Sequence, residues 1–267
     1  RESDDSLIGD TKVLLLATFL IGLLIGFIVA IIGIGGGVFF VPLLLFIYNF
    51  DIHSAVSTSI LITLFTTTSA FLFYSRHVKI RYKLGLLLEL ATIPGGIIGS
   101  YFTNIMNKEV IEALFASVLT ILAIKLIHEY FINKNGRRIG RDAKRNSLKL
   151  LIGILSAFLA GFISGSVGLS GGSLKVPILI LILGIPERSA VATSTFMMIL
   201  TTIANLTVHN IYGRINYEIG LMMGSGAFLG AQLGGRTNLK LNQRKIRLVL
   251  GAILLIIAIR VFVDVIR

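Results

Sequence analysis

Cysteine is absent from the 267 residues. That removes disulfides, thiolate nucleophiles, thiol redox chemistry and cysteine-based metal sites from consideration. Charge is scarce as well: 14% of residues are charged and 55% are apolar, whereas soluble domains carry about 25% charged residues. A water-soluble globule is not expected from that balance. Arg1 to Asp10 lacks a basic n-region and a small-residue cleavage site, so the start does not read as a signal peptide. A dinucleotide-binding fingerprint beginning at Gly33 would need glycine where Val38 stands, and no strand precedes it. No ATP site is visible, and no cofactor or metal site is expected.

What fills the chain is apolar sequence. A helix needs about twenty apolar residues to cross a ~30 Å hydrocarbon layer, so eight crossings use about 160. The remainder suffices only for short loops. Residues 1–267 are therefore read as a single transmembrane domain. Apolar stretches run from Val13 to Ile32, Val38 to Phe50, Ala55 to Tyr74, Leu84 to Phe102 and Val110 to Phe131, then from Leu148 to Leu169, Leu174 to Leu183, Ser189 to His209, Ile219 to Leu233 and Ile246 to Val263. Val38 to Phe50 and Leu174 to Leu183 are too short to span. Each follows a glycine cluster directly, the pattern of a broken or re-entrant element.

The two halves repeat. An offset of 135 aligns Phe27–Gly99 with Phe162–Gly234 without a gap, and 22 of the 73 positions are identical. Gly33, Gly36, Gly37 and Pro42 match Gly168, Gly171, Gly172 and Pro177; Ser54, Ala55, Val56, Thr58 and Ser59 match Ser189, Ala190, Val191, Thr193 and Ser194. Clustered Gly, Pro, Ser and Thr matches indicate duplication rather than shared composition bias. The first repeat covers about 13–131, a basic linker about 132–147, and the second repeat about 148–264.

The formal charge of +12 is concentrated in loops, which points to membrane topology and not to a nucleic-acid partner. Three segments carry it: Ser75–Lys83, the centre with Lys134 to Arg145, and Gly235–Arg247. The positive-inside rule places these in the cytoplasm and the acidic N-terminus outside. Matched loops then face opposite ways, so the repeat is inverted. The expected fold is an all-α polytopic membrane protein of two inverted repeats, each a broken or re-entrant helical hairpin plus three transmembrane helices.

The glycine clusters are the main candidates for chemistry. A helix that starts at a glycine turn aims free N–H groups and its positive dipole end at that turn. An anion is the natural partner in lipid. The amides of Gly35, Gly36, Gly37 and Val38, and of Ser170, Gly171, Gly172 and Ser173, are the candidate oxyanion holders, with Pro42 and Pro177 fixing the short arms. Two inverted hairpins would bring the tips face to face near the midplane. Glycines that merely allow close helix packing are the plainer explanation. Hydroxyls of Thr58, Ser59, Thr193 and Ser194 suit an oxyanion shell, although Ser and Thr also bond back to their own helices.

Two ionisable residues interrupt the apolar stretches. Lys175 stands where the first half has Phe40, three residues past Gly172, and is the candidate counter-charge. Snorkelling to the surface is the alternative. Glu89, matched by Gly224, is the candidate proton carrier; pairing with Lys83 six residues earlier is its alternative. A rival function comes from Gly168-Leu169-Ser170-Gly171-Gly172, which fits an intramembrane serine protease using Ser170 with His209 as base. Gly35 in the matching place of the first half argues against it.

With both glycine-proline motifs and both Ser-Ala-Val runs in place, nearly the whole chain resembles the TauE/SafE family of sulfite exporters, also called the TSUP family. The resemblance implies a secondary transporter that carries small sulfur-containing anions, such as sulfite, sulfoacetate or other organosulfonates, across the cell membrane. Its partners are then a small anionic substrate and the lipid bilayer; energy would come from an ion gradient or from the substrate itself, with proton coupling through Glu89 as the candidate. A passive anion channel is the alternative, because the same donors suit a pore.

Overall fold

The computed structural model describes residues 2–32, 36–132, 147–169, 171–238 and 243–266. These form ten α-helices and one π-helical turn, with no strand among the described residues. The first half holds α1 (Glu2–Ile32), α2 (Gly37–Phe46), α3 (Ile52–His77), α4 (Tyr82–Ile105) and α5 (Lys108–Ile132). The second holds α6 (Ser147–Val167), α7 (Gly172–Pro177) continued by the π turn Ile178–Ile182, then α8 (Glu187–Ile211), α9 (Tyr217–Asn238) and α10 (Gln243–Ile266). Helix order therefore repeats element for element. Among the described residues six helices are long and apolar enough to cross a bilayer: α1, α3, α4, α5, α6 and α8. Leu90, Leu181 and Ile211 are exposed outside the bundle, which suits a lipid surround and not water.

Local chemistry explains the boundaries. Asp51 accepts a hydrogen bond from the Ser54 amide (3.1 Å) and starts α3. Pro42 sits inside α2 and Pro177 ends α7; a proline ring lacks the N–H that would close the preceding turn. Past Pro177 the helix widens, and Leu183 N bonds Ile178 O at 3.2 Å, five residues back. Both short arms are thus weakened at matching positions.

Helix directions follow from which residues meet. A Cβ at Gly226 or Gly230 of α9 would lie 2.0 Å from the carbonyls of Phe19 or Leu23 in α1, so contacts advance together and the helices are parallel. Gly161 and Gly165 of α6 meet Thr92 and Gly96 of α4 in the same way. Glycines four residues apart let these backbones touch, as is common where lipid supplies no hydrophobic drive between helices. The α3 helix also runs parallel to α9, with Thr58 near Asn216 and Ser69 near Phe228. Against α8 it is antiparallel: Ser57 near its start bonds His209 near the end of α8. Equivalent helices of the two halves therefore point in opposite directions, and the repeat is inverted.

The first hairpin turns back on itself. Tyr48, just past α2, lies 2.7 Å from Thr18 of α1 through their hydroxyls, so the chain returns to the level from which it descended. Fourteen helical residues separate Thr18 from Ile32, a descent of about 21 Å at ~1.5 Å per residue. The pair α1–α2 is thus a hairpin that turns at the glycine elbow.

Candidate functional site

The two glycine elbows meet. A Cβ at Gly37 would lie 2.1 Å from the Gly168 carbonyl oxygen and 2.9 Å from Leu169 Cα. Main chain touches main chain, beside the middle of the antiparallel pair α3 and α8. Gly168 and Gly171 both have φ of +68°, a left-handed conformation that disfavours any side chain. The Ser164 hydroxyl donates to the Leu169 carbonyl and pins the second elbow. Gly36, Gly37, Val38, Gly171 and Gly172 are all buried. Gly35 and Ser170 lie outside the described residues, as do Gly33, Ile34 and the side chain of Ser173.

Four candidate hydroxyls have defined partners. Thr58 Oγ1 accepts from Asn216 N (3.0 Å) and Thr193 Oγ1 from Arg81 N (3.1 Å). These are equivalent bonds in the two repeats, and each ties a helix start to the opposite half. Ser59 Oγ donates to Val56 O (2.8 Å) and reaches Gly168 O at 3.3 Å, so it touches the second elbow. Ser194 Oγ donates to Val191 O (2.8 Å).

Lys175 and Glu89 face each other, although the sequence treated them as separate groups. Lys175 Nζ lies 2.9 Å from Glu89 Oε1 and 2.5 Å from Thr201 Oγ1, and Thr201 Oγ1 donates to Glu89 Oε2 at 2.5 Å. Lys175 and Glu89 are each 1% exposed, so Lys175 does not snorkel to a surface. Two opposite charges sealed in this way hold each other, because either alone is costly away from water. Thr201 is the member of this triad whose role the sequence reading did not assign. Its signal was the repeat itself: Thr201 matches Thr66, and Lys175 matches Phe40, so the neighbours Gly36, Phe40 and Thr66 of the first half predict Gly171, Lys175 and Thr201 in the second.

A small cavity of about 20 Å³, room for little more than one water, lies beside the first elbow. Gly36, Thr66, Thr67, Tyr74, Thr195 and Met198 line it. Gly36 is at the elbow; the other five belong to the C-terminal half of α3 and the N-terminal half of α8. The space therefore lies between the elbow and the end of the bundle where α3 stops. His209 is fully buried, with Nδ1 2.8 Å from Ser57 Oγ and Nε2 3.4 Å from Gly165 O. Among the described residues no group of three or more His, Cys, Asp or Glu is placed to hold a metal ion.

The family model described as "Sulfite exporter TauE/SafE" matches residues 18–261. The chain belongs to the TauE/SafE family. A probable membrane transporter protein of Bacillus subtilis, YunE, is 30% identical over 254 residues, covering 89% of this chain and 93% of that protein. A probable membrane transporter protein of Methanocaldococcus jannaschii, MJ0441, is 26% identical over 255 residues, 88% and 90% of the two chains. No solved structure matches. This TauE/SafE protein is a multi-pass membrane protein of a transporter family, and its two elbows lie within the matched region.

Proposed function

We propose that this chain is a secondary exporter of small sulfur-containing anions, such as sulfite, sulfoacetate or other organosulfonates, working by alternating access. The observation that carries the reading is the backbone contact between oppositely directed elbows, with open space on one side of it. Two inverted hairpins that touch at mid-depth form a barrier that can open to either end, and space on one side is what one state of such a carrier requires. A continuous pore is not needed for that arrangement. The sulfur chemistry is supported by the family's description alone.

Each residue takes a role suited to its surroundings. The amides of residues 35–38 and 170–173 hold the oxyanion, Thr66 and Thr195 line its approach, and Lys175 supplies positive charge. Ser59 and Ser194 steady the elbows; Thr58 and Thr193 lock helix starts. Pro42 and Pro177 let the short arms bend, and Glu89 carries the coupled proton. The charge pattern supports an N-terminus outside and the central linker in the cytoplasm, so the cavity faces the cytoplasm, the side from which an exporter loads.

Proteoliposomes loaded with radiolabelled sulfite or sulfoacetate test the reading. Saturable flux accelerated by unlabelled anion on the far side is expected. Flux without such counterflow would make the protein a channel, and no specific flux of any small oxyanion would refute the reading.

A further inference from the structure

The repeat register allows the two elbows to be compared atom for atom. Around the open cavity stand Val29, Thr66, Ala70, Tyr74 and Met198. Their counterparts beside the second elbow are Ser164, Thr201, Asn205, His209 and Thr63. One half-site is mostly apolar; the other is shut and more polar at these five positions, with Thr67 matched by Thr202 and Thr195 by the apolar Ile60. Contacts assemble three of the five: Gly171 abuts Ser164 and Lys175, and Gly96 abuts Asn205 and Thr201. By register Thr63 is the counterpart of Met198, and its buried hydroxyl has no hydrogen-bond partner among the described residues.

The shut half-site already holds an oxyanion. Glu89 presents a carboxylate to an ammonium at 2.9 Å and to a hydroxyl at 2.5 Å, the donor set that a sulfonate, sulfite or carboxylate would take. We infer that the half beneath the second elbow is a closed anion site plugged by the protein's own Glu89, and that a substrate anion takes Lys175 and Thr201 only when Glu89 takes up a proton. This rests on the anion-export reading and specifies its coupling.

Charge balance forces the link. With Lys175 charged and Glu89 ionised the buried sum is zero. Adding a monoanion makes it minus one in a place from which water is excluded, which is costly. One proton on Glu89 restores zero. The proton sits on Oε2, the new O–H donates to Thr201 Oγ1, and the threonine hydrogen turns from Glu89 to the anion. Lys175 stays protonated and moves from Glu89 to the guest. Among the described residues Glu89 is the carboxylate that pairs with Lys175. Other titratable groups on the helices packed against α4 lie at helix ends: Lys149 begins α6, Glu187 and Arg188 begin α8, and His209 ends it. His53 meets the far end of α4 through Thr103 O.

Methanesulfonate, which stays ionised throughout, is the probe. Its binding to the purified full-length protein is measured by calorimetry across pH, with proton uptake read by a pH indicator in weak buffer. Wild type is expected to take up one proton per anion bound, and its Kd to fall about tenfold per pH unit of acidification while free Glu89 is ionised. Glu89→Gln is expected to bind with no pH slope and no proton uptake. Binding by wild type without proton uptake overturns the inference, as does an unchanged slope in Glu89→Gln. If Glu89→Gln fails to fold, the wild-type proton count decides alone. Failure of wild type to bind methanesulfonate, sulfite and sulfoacetate alike would instead refute the export reading and this inference with it.

Discussion

Gly37→Ala adds one methyl group where the two elbows touch. The new Cβ would lie 2.1 Å from the Gly168 carbonyl oxygen, whereas ordinary contact begins at 3.4 Å. The elbows must therefore part by about 1.3 Å, and neither partner is a flexible side-chain tip that can swing aside. Overpacking of this kind costs about 1–3 kcal/mol. At about 2–4 °C per kcal/mol for a chain of this size, melting in detergent should fall by about 2–12 °C. Transport should suffer more, since a misplacement of about 1 Å degrades a preorganised site by on the order of a hundredfold. Gly153→Ala is the control. Its Cβ would meet only the Leu183 side chain at 3.3 Å, a tip that can yield, and alanine gains about 1 kcal/mol of helix propensity. Gly153→Ala should melt at or above wild type and transport normally. If Gly37→Ala melts and transports like wild type, the elbows do not touch as described.

Three further outcomes are expected. Lys175→Met alone should destabilise the protein by about 3–5 kcal/mol by stranding Glu89, while Lys175→Met with Glu89→Gln should recover most of the loss in chemical denaturation; additive losses would mean the two do not pair. Asp51→Ala should cost about 1 kcal/mol at neutral pH by removing the cap of α3. Burial pushes the Asp51 carboxyl up, but the Ser54 hydrogen bonds and nearby His53 outweigh it and hold its pKa below the usual aspartate value. The cap's stabilisation is then present above about pH 4 and lost as acid protonates the folded carboxyl, so mutant and wild type should converge in melting temperature at low pH. The absence of cysteine makes topology directly testable: in intact cells Asn107→Cys should react with an impermeant maleimide and Lys79→Cys should not, and the reverse pattern would invert the orientation.

Much of the architecture was legible because the signals are local or repeat. Adjacent glycines followed by a proline five residues on announce a turn and a weak arm wherever they occur, and two copies in opposite charge settings announce inversion. The pairing of Lys175 with Glu89 was not legible. The two residues are 86 positions apart, on α7 and α4, and meet only through tertiary packing that no local pattern encodes. Hydroxyl chemistry was legible as type but not as partner: Thr58 and Thr193 sit beside the motif, yet they reach backbone amides of the opposite half. Glycine itself is ambiguous in sequence. Gly22 and Gly26 serve helix contact with α9, Gly168 and Gly171 serve a turn, and only spacing distinguishes the two uses.

The two glycine elbows touch, and the export reading requires an anion to bind at that junction. An experimental density map of the protein with bound sulfoacetate tests it most directly. Gly37 or its mirror-image partner Gly172 is expected within the elbow junction, with anion density within hydrogen-bonding distance of the elbow amides or of Lys175. Elbows that lie apart, packed dry against neighbouring helices with the anion elsewhere, would contradict it.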